Sequence, residues 1–137
     1  MDLRRDDPWT PYDKLDVNVI TLPEGDAWAR TLIRVLETRE SLRLCEILMQ
    51  EMPDGEVSVR ASRKVPEGEV VTRSEAPRGE VVYYLRSDGT DKPARLKIRT
   101  PTLPVLSLLP EQLAAIHVAD IPVVLAGIDL CVACADR

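Results

Sequence analysis

The chain has 137 residues, one domain's worth, with 45% hydrophobic and 30% charged residues, so a packed core is within reach. A formal net charge of −5 and a pI near 4.9 argue against a nucleic-acid partner. Aromatics are 4% with no Phe, which leaves the core to Leu, Val, Ile and Ala, and three cysteines, an odd count, fit a reducing cytoplasm better than a disulfide framework.

No apolar run reaches the length of a membrane span, and the charged start Met1-Asp2-Leu3-Arg4-Arg5 is no export signal. Residues 1–23 are acidic and broken by prolines, a composition that leaves no room for a helix. Trp9 and Tyr12 read as anchors of a docking segment, and Val17, Val19 and Leu22 as a short strand.

Residues 24–52 carry the clearest helix signal. Thr21 and Glu24 have the spacing of a capping box, and Asp26 is a second candidate cap. Trp28, Leu32, Val35, Leu42, Cys45, Leu48 or Met49, and Met52 recur at three- to four-residue steps, while Arg30, Arg34, Glu37, Arg39, Glu40, Arg43 and Glu46 cover the rest. Pro53-Asp54-Gly55 stops it. At about 1.5 Å per residue such a helix is roughly 40 Å long. No second helix in the chain matches it, so a partner is expected to cover it. Cys45, on the apolar stripe, reads as a buried core thiol.

Residues 56–100 form the β-region. Its first part, 56–73, reads as short strands or an exposed loop. Residues 74–100 read as a hairpin: Val81 to Leu85, a turn from Ser87 to Pro93, and an alternating return over 94–99. Before it, Pro77 and Gly79 bracket Arg78 and fix the loop that presents it. Prolines 101, 104 and 110 then interrupt an apolar stretch. A short helix is expected over 111–116, and a final helix with Asp120 as cap and Pro122 in its first turn. Gly127 or Asp129 ends that helix just before Cys131-Val132-Ala133-Cys134. His117, between the two, has no second His to pair with and reads as a surface or capping residue. The fold class is α+β: a long N-terminal helix, a small central antiparallel sheet, and a buried C-terminal helix ending at the Cys-x-x-Cys.

Two thiols three residues apart can face one metal ion when the backbone turns between them, and thiolates suit soft metals. Four readings compete. A thioredoxin-type dithiol needs a strand before the motif and a helix after it, the reverse of this order. A structural zinc site could count Cys131, Cys134, Cys45 and His117, but neither Cys45 nor His117 has a paired ligand at the usual spacing. The pair could also be two buried structural thiols. The fourth is a metal site shared with another chain or with a preceding N-terminal part, which the uncovered long helix and the position of the motif beside the chain's end both favour.

Several stretches together carry a resemblance. Asp6-Asp7-Pro8-Trp9, Glu24-Gly25-Asp26-Ala27-Trp28-Ala29-Arg30, Glu75-Ala76-Pro77-Arg78-Gly79-Glu80, Ser87-Asp88-Gly89, Leu96-Lys97-Ile98-Arg99-Thr100-Pro101-Thr102 and Ala119-Asp120-Ile121-Pro122 occur in a fixed order. They resemble the C-terminal half of the large subunit of nickel–iron hydrogenases, in particular the membrane-bound, energy-converting branch. That branch is similar in turn to the quinone-site 49 kDa subunit of respiratory complex I, the NADH-quinone oxidoreductase.

The resemblance implies a role for each of several residues. Cys131 matches a terminal nickel ligand and Cys134 one that bridges nickel to iron. Arg78 matches an arginine over the metals that helps split dihydrogen, Pro77 its neighbour, and Asp129 the carboxylate that pairs with it. A buried guanidinium needs such a partner. The resemblance further implies an oxidoreductase in a membrane-attached complex on the inner, cytoplasmic face of the cell membrane. Its implied partners are an Fe–S small subunit, membrane subunits at one remove, and the N-terminal half of the large subunit, which supplies the other two thiolates of a shared nickel–iron centre.

Complex I relatives lack the cysteines, so Cys131 and Cys134 tip the reading toward a hydrogenase. Three departures stand out. Asp129-Leu130-Cys131 replaces Asp-Pro-Cys, the N-terminal Cys-x-x-Cys is absent, and the chain ends at Arg137, where many relatives carry a short tail that is cut off during metal insertion. A quinone-linked subunit without hydrogenase activity and a small zinc-stabilised interaction module are the alternatives.

Overall fold

The computed structural model describes residues 1–136; Arg137, which the resemblance places before the cleaved tail, lies outside the described residues. The fold is α+β. In chain order come α1 (Leu3–Asp6), a 3-10 turn (Tyr12–Lys14), α2 (Ala27–Gln50), β1 (Gly68–Ala76), β2 (Gly79–Ser87), β3 (Pro93–Arg99), α3 (Thr102–Leu113), a 3-10 turn (Val118–Asp120), α4 (Ile121–Ile128) and α5 (Val132–Ala135).

The N-terminal segment holds a helix after all, one turn long. Asp2 caps it by accepting the Arg4 N–H at 3.0 Å, and Leu3 inside it is 2% exposed. Trp9 and Tyr12 meet edge to face with ring centres 4.9 Å apart. The strand expected over 17–22 is instead an extended strap. The Asn18 N–H donates to the Glu40 carboxylate at 3.0 Å, and Arg43 donates to the Asp16 carbonyl at 2.6 Å.

The cap of α2 is Asp26, whose side chain accepts the Ala29 N–H at 2.7 Å. The face of α2 that packs is not the stripe picked out in the sequence. It runs Ala29, Ile33, Leu36, Glu40, Leu44 and Ile47, with Ala29, Glu40 and Leu44 fully buried. Trp28, Val35, Leu42 and Met49 lie on the outside, each more than 60% exposed. Cys45 lies there too and is exposed, which corrects its assignment as a core thiol. A helix with apolar residues on two sides has no single amphipathic period, so the sequence alone could not choose between them.

The sheet is a three-stranded antiparallel meander in the order β1-β2-β3. It has one more strand than the hairpin expected over 74–100, because β1 begins at Gly68. The second proline-rich surprise is α3. Pro104 falls in its first turn, where a missing N–H leaves no intrahelical bond unmade, and Pro110 lies inside the helix only three residues before its end. The helix therefore covers Thr102–Leu113 instead of the expected 111–116, and ends at Leu113. Asp120 and Pro122 do open α4, although the Asp120 side chain makes no cap bond.

Helix α4 packs on α2 through Gly127. A Cβ at that position would sit 3.1 Å from Arg30 Cβ and 3.2 Å from Thr31 Oγ1, so only glycine allows this approach. Val124 and Ile128 fill the seam. Asp129 ends α4 in the left-handed region, φ +54° and ψ +55°, with its N–H donating back to the Leu125 carbonyl.

Candidate functional site

Pro77 and Arg78 are the two central residues of the turn joining β1 to β2, since Ala76 pairs with Gly79 across it. Proline presets φ at the first turn position, and Gly79, at φ +124°, takes a conformation that side chains disfavour. The turn sits against Pro101. Strand geometry thus projects Arg78 away from the sheet toward the end of α4. There its Nε–H donates to the Asp129 carbonyl, and its Nη2 lies 3.2 Å from both carboxylate oxygens of Asp129. Arg78 is half-buried and Asp129 somewhat more exposed.

Two residues past Asp129, Cys131 caps α5, a single turn of helix that also holds Cys134. The Cys134 N–H donates to the Cys131 carbonyl at 3.1 Å. The Thr100 hydroxyl, almost fully buried, donates to the Cys134 carbonyl at 2.7 Å and so ties the last turn to the junction of β3 with α3. A hydrogen bond from the Cys134 thiol holds the Cys131 thiol below its usual pKa; the Cys134 backbone N–H adds to this and Arg78 contributes by its charge, against a smaller opposing effect of burial. Arg78, Asp129, Cys131 and Cys134 therefore share one corner of the molecule, with Pro77 in the turn that carries Arg78.

Arg78 stands between two cavities. One, of about 580 Å³, is of mixed surface and lined by Arg4, Tyr12, Arg34, Glu37, Glu75 and Asp129 among others. Burial pushes the Glu75 carboxyl above its usual range, although the Leu3 N–H donates to it at 2.9 Å. The other, of about 260 Å³, is walled mainly by Ile33, Val105, Leu108, Ile128 and Leu130.

A soft metal requires thiolates, and Cys131 and Cys134 are two soft donors one helical turn apart. Among the described residues no group of three Cys, His, Asp or Glu comes together that could hold a metal ion. The chain thus fits half of a four-thiolate set and does not fit a four-ligand zinc site. His117 is exposed, and neither it nor Cys45 joins the pair in a metal-binding group.

The family of the respiratory-chain NADH dehydrogenase 49 Kd subunit matches residues 1–64 and 58–137. The chain belongs to that family. Its relatives within the 49 Kd family carry more than one name. The carbon monoxide-induced hydrogenase of Rhodospirillum rubrum is 38% identical over 136 residues, 99% of this chain and 38% of that protein. An NADH-quinone oxidoreductase subunit of Dehalococcoides mccartyi is 38% identical over 138 residues, again 99% of this chain and 38% of that protein. A solved structure of the membrane-bound sulfane sulfur reductase, an archaeal respiratory membrane complex, matches with a TM-score of 0.88 at 35% identity, covering all of this chain and 39% of that one. The chain spans less than two fifths of the length of these relatives. No helix among its described residues is long and apolar enough to cross a membrane.

Arg78, Asp129, Cys131 and Cys134 stand out in the sequence through the family resemblance, and the groups that hold them do not. Thr100 lies inside a stretch read only as strand and linker, and nothing in the sequence signals that its hydroxyl reaches Cys134. Arg34 stands in the sequence only as one of the charges that cover the rest of α2.

Proposed function

We propose that residues 1–137 are the C-terminal part of a hydrogenase-type large subunit of the 49 Kd family and contribute half of a nickel–iron site for reversible hydrogen oxidation. The observation that carries the reading is the meeting of the Arg78–Asp129 pair with two thiols in one corner. Cys131 and Cys134 would hold the metals from this side, and the other thiolates would come from the N-terminal half or an equivalent chain. A nickel–iron centre, when bound, supplies the heterolytic cleavage of dihydrogen.

The chain's own residues set the surroundings. Asp129 neutralises the Arg78 guanidinium and fixes its plane, because the Nε–H binds a main-chain carbonyl while Nη2 binds the carboxylate. A fixed cation beside Cys131 favours its thiolate form. Pro77 limits the turn to one geometry. The larger cavity, with Tyr12, Glu37 and Glu75 in its wall, offers groups able to carry protons to or from this corner.

Partners follow from the same reading. Trp28, Val35, Leu42 and Met49 are spaced seven residues apart on the exposed side of α2, the spacing of a helix seam. We take the rest of the large subunit as its cover. An Fe–S small subunit would receive the electrons, and membrane subunits would hold the complex peripherally at the inner face of the cell membrane.

A second reading, a quinone-linked subunit without hydrogenase activity, is favoured by the match to the NADH-quinone oxidoreductase of Dehalococcoides mccartyi. Elemental analysis of the large subunit, separated from the Fe–S subunit of its native complex without added metal, distinguishes the two. Nickel and iron in equal amounts are expected. No metal sinks the hydrogenase reading and leaves the quinone-linked one, and zinc in their place returns the zinc-stabilised interaction module. Cys134→Ser is expected to strip the metal and abolish hydrogen activity, whereas Arg78→Lys keeps the metal and slows turnover, because lysine cannot bind the carbonyl and the carboxylate together.

A further inference from the structure

Neither the resemblance nor the comparisons give Arg34 a role. It lies on α2, one turn after the Arg30–Thr31 site on which Gly127 packs. Its Nη1 donates to the Pro77 carbonyl at 2.9 Å and to Glu37 Oε2 at 3.1 Å, and its Nε–H reaches the Gly127 carbonyl at 3.4 Å. Pro77 precedes Arg78 in the β1–β2 turn, and Gly127 is two residues before Asp129. One planar group therefore touches the main chain beside each member of the Arg78–Asp129 pair. These contacts bridge 43 and 93 residues of sequence.

We infer that Arg34 is a positioning residue: it clamps the β1–β2 turn to the end of α4 and so sets the geometry in which Arg78 grips Asp129. The alternative is an ordinary surface ion pair with Glu37. Both side chains of that pair are about one third exposed, 32% and 34%, and such pairs contribute little stability. What marks Arg34 out is the two carbonyls. A guanidinium has donors in a fixed plane, so satisfying both carbonyls fixes a distance and an angle at once; an ammonium group is a single point and cannot do so. Glu37, one turn along α2, holds the remaining rotation. The grip of Arg78 on Asp129 depends in turn on main-chain position, since its Nε–H binds the Asp129 carbonyl rather than the side chain. A shift of the turn relative to α4 would break that bond even with both side chains intact.

This inference rests on the reading of Arg78 and Asp129 as a functional pair, and its test has two arms that fail separately. In the assembled complex, Arg34→Gln should lower kcat about 10- to 100-fold with KM changed less than about twofold, as misplacement of a reacting group does. Arg34→Lys should recover part of the loss. Combined with Asp129→Asn, the two losses should not multiply, because both act through one pair. In the nitrogen-15-labelled full chain, hydrogen exchange at the Arg78 Nε–H should be about tenfold faster in Arg34→Gln, with the backbone amides of α2 unchanged. Wild-type exchange at Arg78 in Arg34→Gln overturns the clamp whatever the activity. Accelerated exchange with wild-type kcat keeps the clamp and removes the pair from the reaction. Multiplying losses overturn the shared pathway. If Arg34→Gln unfolds, the exchange arm is read in Arg34→Lys, where unchanged protection overturns the clamp.

Discussion

Helix α2 has two apolar faces that meet different fates. The inner face packs Ala29 and Leu44 against the rest of the chain and buries the Glu40 carboxylate with its Asn18 and Arg43 partners. The outer face carries larger apolar residues, Trp28 and Met49 among them, and leaves them in solvent, 69% and 72% exposed. The contrast is the reverse of what hydrophobicity alone predicts. At one end of the inner face α4 comes close at Arg30 and Thr31, where only a glycine fits opposite, and further along Glu40 is inside because the strap carries Asn18 to it. Large ones are outside because an exposed apolar row of this size on a folded chain belongs to an interface.

The comparison can be broken by substitution. Leu44→Ala, on the inner face and 4% exposed, is expected to lower the unfolding free energy by about 3 kcal/mol, measured by urea denaturation. A loss below about 1 kcal/mol would mean that this face is no core. Gly127→Ala should follow at about 2 kcal/mol, because the added methyl must displace Arg30 or Thr31.

Glu40 sharpens the contrast through pH. The bond from Arg43, helped by Asn18 and opposed by burial, lowers its pKa from 4.5 to about 2. A depressed carboxylate stabilises the fold fully above its unfolded value and loses that contribution as pH falls from about 4.5 toward 2. With half-exposed Arg43 as its partner, the stabilisation at stake is on the order of 1–2 kcal/mol. Glu40→Gln should flatten the stability curve across that window; an unchanged slope would show that the carboxylate is not held. The smallest effect belongs to the outer face. Leu42→Ala should change the stability of the chain by less than about 0.5 kcal/mol. Its consequence should appear only in the complex, as weaker retention of this chain in pull-down of the assembled subunits.

What the sequence made legible follows the same division between local and long-range forces. Helix α2 was readable to within a few residues from its periodicity and the stop at Pro53, and so were the cap position of Asp120 and the turn that brackets Arg78. These are short-range effects. The burial of Glu40 instead of Leu42 was not readable, because it depends on Asn18 and Asp16, two dozen residues away, reaching the helix. Helix α3 was hidden by its prolines, whose cost depends on where in the helix they fall. The nearness of Arg78 to Asp129 came from the family resemblance and not from any spacing. The supporting contacts of Arg34 and Thr100 had no sequence signal, since a single donor reaching a distant carbonyl leaves no pattern.

The bond from the Thr100 hydroxyl to the Cys134 carbonyl closes a loop of 34 residues. Bringing the ends of such a loop together costs roughly 3 kcal/mol of chain entropy, which the packing of α3 and α4 within it must offset. In the unfolded chain Cys131 and Cys134 are two ordinary thiols on a flexible tail. In the folded chain the Thr100 bond holds them in one helical turn against the junction of β3 with α3, so the spacing of the two thiols is a property of the whole folded segment between residues 100 and 134 and not of the four-residue motif.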